Sequence, residues 1–212
     1  MARKELVQAA TAIAARDPAM ATVIERAGPP TLTHSRRTEA GLFAELAESI
    51  AYQQLAGAAA AAIWGRFRAL VDGELTPEAV LALPEDAIRG AGMSGAKTAA
   101  LKDLAAKVHD GTVPLADVRR LPDDELIARL SSVRGIGRWT SEMFLIFTLG
   151  RLDVWPVDDL GVRRGYQLTH GLEEMPKPKA LQALGEPYRP YRTIAALYCW
   201  QAVRLSRGQP LL

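Results

Sequence analysis

Proline or glycine interrupts this chain roughly every fifteen to twenty residues, and the stretches between are rich in alanine and leucine with only short β-branched runs. Nowhere does a segment alternate apolar and polar residues as a half-buried strand must. A chain punctuated in this way folds as a set of short helices, so the expected fold class is all-α. Apolar spacing together with start and stop residues places helices at about 4–15, 18–27, 39–72 with a break near Gly57, 84–89, 95–110, 122–131, 137–149, 158–169, 177–184 and 190–207. Pro29 and Pro30 break the chain after the first helical pair, and a loop over 150–157 carries Pro156. Segment 36–149 therefore reads as a central helical lobe, with 1–35 and 150–212 forming a second lobe packed from both termini.

Composition narrows the classes of function. The 212 residues, 49% of them hydrophobic, suffice for a well-buried core. No apolar run reaches the length of a membrane span, and the N-terminal Met1-Ala2-Arg3-Lys4-Glu5 lacks the apolar stretch of a secretory signal, so a cytoplasmic protein is expected. Cys199 is the only cysteine, which excludes an internal disulfide and a four-cysteine iron-sulfur cluster. Histidines 34, 109 and 170 have no spacing that would bring two of them onto one metal. The net charge of +2 is compatible with nucleic acid without arguing for it.

The most informative stretch is 126–149, LIARLSSVRGIGRWTSEMFLIFTL. Gly135 and Gly137 allow Val133-Arg134-Gly135-Ile136-Gly137 to fold as a sharp turn between two helices while Ile136 enters the core. The second helix then starts with open amides, which bind a phosphate oxygen well. Such a turn also occurs in many helical proteins with no DNA partner. Downstream, Trp155-Pro156-Val157-Asp158-Asp159-Leu160-Gly161 opens the next helix. Two adjacent aspartates cannot cap one helix in the same way, so one of them points elsewhere.

Taken in order, V-R-G-I-G-R-W-T, the Pro-containing loop and the aspartate pair resemble the helix-hairpin-helix-Gly/Pro-Asp superfamily of DNA glycosylases, over about residues 17–207. Within it the chain is similar to the 3-methyladenine DNA glycosylase II (alkylbase DNA glycosylase) family. The resemblance implies a two-lobed helical fold without an N-terminal β domain, with DNA bound across a cleft between the lobes. It implies Asp159 as the catalytic acid and Asp158 as the helix cap. Bifunctional members carry a lysine two positions after the last turn glycine; Trp139 stands there, and it cannot form an imine. The expected activity is therefore monofunctional: hydrolysis of the N-glycosidic bond of alkylated purines in base excision repair, leaving an abasic site.

The same resemblance assigns the remaining site residues. Trp139, Tyr188, Tyr52, Met143 and Leu160 are expected to line the base pocket, with Met143 and Leu160 standing where relatives often carry aromatic residues. Gly135, Gly137, Arg138, Thr140, Ser94 and Gly95 are expected to contact DNA, and Gln54 and Leu55 to fill the stack vacated by an extruded base. Backbone carbonyls of Ser131, Val133 and Ile136 are expected to hold a sodium or potassium ion, with no other cofactor. Lys97 and Lys102 read either as phosphate ligands or as a solvated face, and Tyr198 and Trp200 as core. The partner is double-stranded DNA containing alkylated bases, and the protein is expected to act as a monomer away from membranes. Two other readings stay compatible with the residues: a hairpin protein that binds DNA without cutting bonds, and a glycosylase of oxidised or deaminated bases.

Overall fold

The structure, a computed structural model, describes residues 3–32 and 37–210. Every regular element among them is helical. The chain divides into two compact units, a terminal unit of Met1–His34 with Leu145–Leu212 and a central unit of Ser35–Phe144. The first boundary expected from the sequence, at 35/36, lies outside the described residues, as does His34.

In the terminal unit, α1 (Arg3–Arg16) and α2 (Pro18–Ala27) are joined by Asp17, which caps α2 by accepting the Met20 amide at 3.0 Å, with Pro18 at the first helical position. Three helices follow from the C-terminal half: α10 (Leu160–His170), α11 (Pro178–Leu184) and α12 (Arg192–Ser206), with a 3-10 turn at Glu186–Tyr188. Thr193 to Cys199 of α12 are buried without a break, because α12 packs on α10, α2 and α1 at once. Its contact with α10 is unusually close. A Cβ at Gly165 would run into the backbone of Cys199, and one at Gly161 would stand 2.6 Å from the Trp200 ring. Only glycine at these two positions, one helical turn apart, allows the two helices their present distance.

A buried polar cluster ties the two sequence ends of this unit together. Tyr188 donates its hydroxyl to Asp17 Oδ2 at 2.5 Å, and His170 sets Nε2 2.8 Å from the same oxygen and Nδ1 2.9 Å from the Tyr166 carbonyl. Burial pushes the Asp17 carboxyl up, but hydrogen bonds from Tyr188, the Met20 amide and His170 outweigh it and hold the group below the usual carboxylate range. Tyr198 closes the same side by donating to the Gly28 carbonyl at 3.0 Å.

The central unit contains α3 (Glu39–Tyr52), α4 (Gly57–Arg68), α5 (Pro77–Ala82), α6 (Glu85–Gly90), α7 (Gly95–His109), α8 (Asp123–Ser131) and α9 (Arg138–Met143). Its core is built on α3, whose Leu42, Phe43, Leu46, Ala47, Ile50 and Ala51 are all buried, against Phe67 of α4 and Leu101 and Leu104 of α7. Each large side chain removed from water there contributes about 1.5–3 kcal/mol. The expected break near Gly57 is observed as a loop at 53–56. Helix α5 was not foreseen; Thr76 caps it by accepting the Ala79 amide at 3.2 Å, and Pro77 starts it. The expected single helix over 137–149 is instead α9 followed by a π-helical turn at Phe144–Thr148. The change of hydrogen-bond period turns Leu145 onward into the terminal unit, so the expected central segment 36–149 ends at Phe144.

Gly165→Ala is expected to destabilise the protein by about 3 kcal/mol. Gly65→Ala, whose Cβ would stand in open space, is expected to be neutral or to stabilise by up to about 1 kcal/mol, both read from urea unfolding. The folded Asp17 carboxyl titrates below its unfolded value of 3.8, so its stabilisation is complete above that pH and is lost as the pH falls through the lower folded value. Asp17→Asn is therefore expected to cost about 1–3 kcal/mol at neutral pH. Unfolding titrations at decreasing pH should show the gap between the two proteins closing progressively below pH 3.8.

Candidate active site and nucleic-acid interface

In the central unit, α8 ends against a turn whose geometry follows from its glycines. Gly135 has φ +79°, and a Cβ there would press on Ala100 at 3.3 Å. Val133 and Ile136 are buried, and the Ile136 amide closes the turn on the Val133 carbonyl at 3.0 Å. Two neighbours hold the turn from opposite sides. Asp103 of α7 accepts the Arg134 amide at 2.7 Å, and Gln53 donates its side-chain amide to the Gly135 carbonyl at 2.8 Å. Burial pushes the Asp103 carboxyl up, but the Arg134 amide and Lys107 hold it below its ordinary range, so it stays a charged acceptor for the turn.

This arrangement brings together three of the segments expected to touch DNA. Gln53 and Gln54 after α3, Ser94 and Lys97 at the start of α7, and Arg134 and Gly135 of the hairpin line one cavity of about 410 Å³. Gln54 is exposed in the left-handed backbone region at φ +57°, and Leu55 beside it, the other residue expected to fill a vacated stack, is also exposed. Ser94 uses its hydroxyl to cap α7, accepting the Lys97 amide at 3.3 Å, while Gly95 lies open. Gly137 precedes α9 with no side-chain cap. Arg134, which the sequence reading placed only within the turn, lines the cavity; its position between the hairpin valine and glycine was the available signal.

Arg138, expected on a phosphate, is paired with the buried Glu142 carboxylate at 2.9 Å and keeps 52% of its side chain exposed. Lys97 and Lys102, read as phosphate ligands or as a solvated face, are half-buried and bonded to helix ends, with Lys97 also lining the cavity. Lys97 donates to the Ala51 carbonyl at the end of α3 at 2.7 Å, and burial lowers its pKa. Lys102 donates to the Val80, Leu81 and Leu83 carbonyls at the end of α5, at 2.9, 2.8 and 2.5 Å. Both ammonium groups meet the negative ends of neighbouring helices. On α9, Trp139 is 49% exposed and Met143 half-buried one turn later, with Thr140 half-buried between them. Tyr52 is half-buried beside Glu48, whose carboxyl is pushed up by burial and by Glu45.

In the terminal unit, the loop before α10 is pinned to the start of α12. Arg192 donates to Asp153 through Nε at 2.8 Å, and the Thr193 hydroxyl donates to the Arg151 carbonyl at 2.7 Å and accepts the Val154 amide at 3.0 Å. The loop then turns at Pro156, whose carbonyl accepts the Asp159 amide at 3.0 Å, and Asp159 enters α10 as its cap, accepting the Val162 amide on Oδ1 at 2.8 Å. The division of labour expected between the two acids is thus reversed in its structural part: Asp158 is exposed, and Asp159 caps the helix. The same Oδ1 accepts the indole N–H of Trp200 at 2.8 Å, so Trp200 is not merely core. Phe147 stacks on Trp200 at a ring separation of 5.7 Å and is 46% exposed, and Leu160 next to the carboxylate is 65% exposed. Phe147 was missed because it sits in a continuous apolar run. Tyr188, expected in the base pocket, is only 2% exposed, tilted against Trp155 and bound to Asp17; its buried hydroxyl needs that partner.

Among the described residues, no group of three or more His, Cys, Asp or Glu is placed to hold a metal ion, and no helix is long and apolar enough to cross a membrane. Residues 47–190 match the HhH-GPD superfamily of base excision DNA repair proteins, and the chain belongs to that family. DNA-3-methyladenine glycosylase 1 of Schizosaccharomyces pombe is 40% identical over 167 residues, covering 77% of this chain and 73% of the relative. The solved structure of the Schizosaccharomyces pombe 3-methyladenine DNA glycosylase in complex with abasic DNA superposes with a TM-score of 0.76 at 34% identity, covering 94% of this chain and 97% of that one. A DNA-3-methyladenine glycosidase from Bacillus halodurans superposes with a TM-score of 0.86 at 34% identity, covering 95% and 92%. The protein is a DNA-binding glycosylase of base excision repair with the all-helical fold of that family.

Because Lys97 and Lys102 are held by helix ends, Lys97→Met and Lys102→Met are each expected to lower the melting temperature by about 2–4 °C. The slope of log affinity for an abasic duplex against log salt should stay that of the parent protein. A lysine seated on a phosphate would reduce that slope by about 0.9.

Proposed function

We propose that this protein hydrolyses the N-glycosidic bond of alkylated purines of the 3-methyladenine type in double-stranded DNA, leaving an abasic site, with Asp159 as the catalytic carboxylate. One observation carries the assignment: Asp159 is fixed at a helix entrance by two N–H donors, next to the exposed side chain of Leu160 and to Trp200 with its exposed partner Phe147. The departing base leaves positive charge on the deoxyribose, and a carboxylate held in place stabilises that charge or orients the attacking water. A unit charge pair at about 4 Å and an effective dielectric of ~20 is worth roughly 4 kcal/mol. That corresponds to about a thousandfold in rate.

Trp139 stands at the position of the lysine nucleophile of bifunctional relatives, so water is the nucleophile and the strand is left uncut. Its half-exposed ring on α9, one turn from Met143, offers a flat face that favours a cationic alkylated base by about 0.5–2 kcal/mol over a neutral one. Gln54 and Leu55 at their exposed loop tip serve as plug and wedge, since an extruded base leaves a gap costing a few kcal/mol to keep open. The backbone amides at the start of α9, which has no side-chain cap, and the turn at Ser94 and Gly95 would take phosphates. Carbonyls of Ser131, Val133 and Ile136 would hold a sodium or potassium ion. They are neutral hard oxygens, and the Val133 carbonyl, though it accepts the Ile136 amide, keeps a second lone pair. The protein would act as a monomer in the cytoplasm, with the DNA.

Purified protein incubated with methylated DNA is expected to release free 3-methylated purine without nicking the strand. Asp159→Asn should abolish release while keeping affinity for an abasic duplex, and borohydride should trap no covalent complex. Release from oxidised or deaminated duplexes alone, or unchanged release by Asp159→Asn, would refute the assignment.

A further inference from the structure

A capping aspartate needs one donor, the amide three residues on, and Val162 supplies it to Asp159 Oδ1 at 2.8 Å. The indole N–H of Trp200, also 2.8 Å from Oδ1, comes from a different helix and adds nothing that capping requires. We propose that Trp200 is a positioning residue for the chemical step, locking the rotation of the Asp159 carboxylate so that it presents a fixed face to the reacting sugar. This role rests on the assignment of Asp159 as the catalytic carboxylate.

The indole is itself immobilised, as a positioning group must be. One edge lies against Gly161, where a Cβ would stand 2.6 Å from ring carbon Cδ1 and 2.8 Å from Nε1. Phe147 stacks on the ring with an interplanar angle of 27°. A second donor on the same oxygen, coming from a different helix, narrows the carboxylate's rotation beyond what the cap alone imposes. A phenylalanine at 200 would keep the stacking on Phe147 and lose only the N–H. Misplacement of a catalytic group by a fraction of its reach slows chemistry without weakening DNA binding.

The test is Trp200→Phe in the full chain, with three readouts. Single-turnover release of 3-methyladenine from methylated duplex is expected to fall about tenfold to a hundredfold. Affinity for a duplex with an abasic-site analogue is expected to stay within about twofold, since the lost N–H acts on Asp159 and not on the DNA. In the proton-nitrogen spectrum of otherwise unaltered protein, Asp159→Asn is expected to shift the Trp200 indole resonance and leave those of Trp64 and Trp155 in place. Full release by Trp200→Phe, with Asp159→Asn inactive, overturns the positioning role alone. Full release by Asp159→Asn removes the catalytic assignment beneath it. If Trp200→Phe does not fold, the indole resonance decides: no shift in Asp159→Asn overturns the proposal, and a shift specific to Trp200 upholds it.

Discussion

Everything in the terminal unit depends on how closely α12 lies on α10. Gly165 faces the backbone of Cys199 and Gly161 faces the ring of Trp200, with no volume to spare at either. That contact places the Trp200 indole on Asp159 and lets Arg192 and Thr193, at the start of α12, grip the loop that leads into α10. Helix packing, loop conformation and carboxylate orientation are therefore one constraint. Close packing transmits small errors because interiors behave as solids with few voids.

The central unit solves a different problem, that of holding an open turn steady without filling it. Glycine at 135 takes a backbone conformation that other residues resist, and hydrogen bonds from Gln53 and to Asp103 clamp the turn from two elements. The lysines near this face close the ends of α3 and α5, and Lys107 similarly reaches Asp103 and the Ser132 carbonyl. What this face presents is therefore the hairpin backbone and Arg134 at the cavity, with the lysine side chains turned to helix ends.

Most of the fold was legible because caps and breakers announce helices directly: Asp17-Pro18, Thr38 and Ser94 each begin one as their chemistry demands. Helix α5 escaped although Thr76-Pro77-Glu78 is a start signal of the same kind as Asp17-Pro18. The end of the central unit escaped because a π turn has no distinctive composition. In the site, the acid pair and its resemblance pointed to Asp159, but which aspartate caps α10 depends on the phase at which the chain leaves the Pro156 turn, a property of three dimensions. Trp200 looked like core because it follows the apolar run 194–199 of α12, and Tyr188, taken as a pocket wall from the resemblance, gives no local sign of the Asp17 carboxylate waiting far away in sequence. Long-range polar pairing of this kind leaves no local trace. Gln54 and Leu55 were picked out by the resemblance alone, since locally a leucine followed by Ala56 does not announce an exposed loop.

The link from the Gln53 side chain to the Gly135 carbonyl has a mechanical consequence. It joins the loop that carries Gln54 and Leu55 to the hairpin turn across 82 positions of sequence, so the left-handed backbone at Gln54 and the left-handed backbone at Gly135 are set with reference to each other. A substitution that shortens the Gln53 side chain would release both ends of this strut at once.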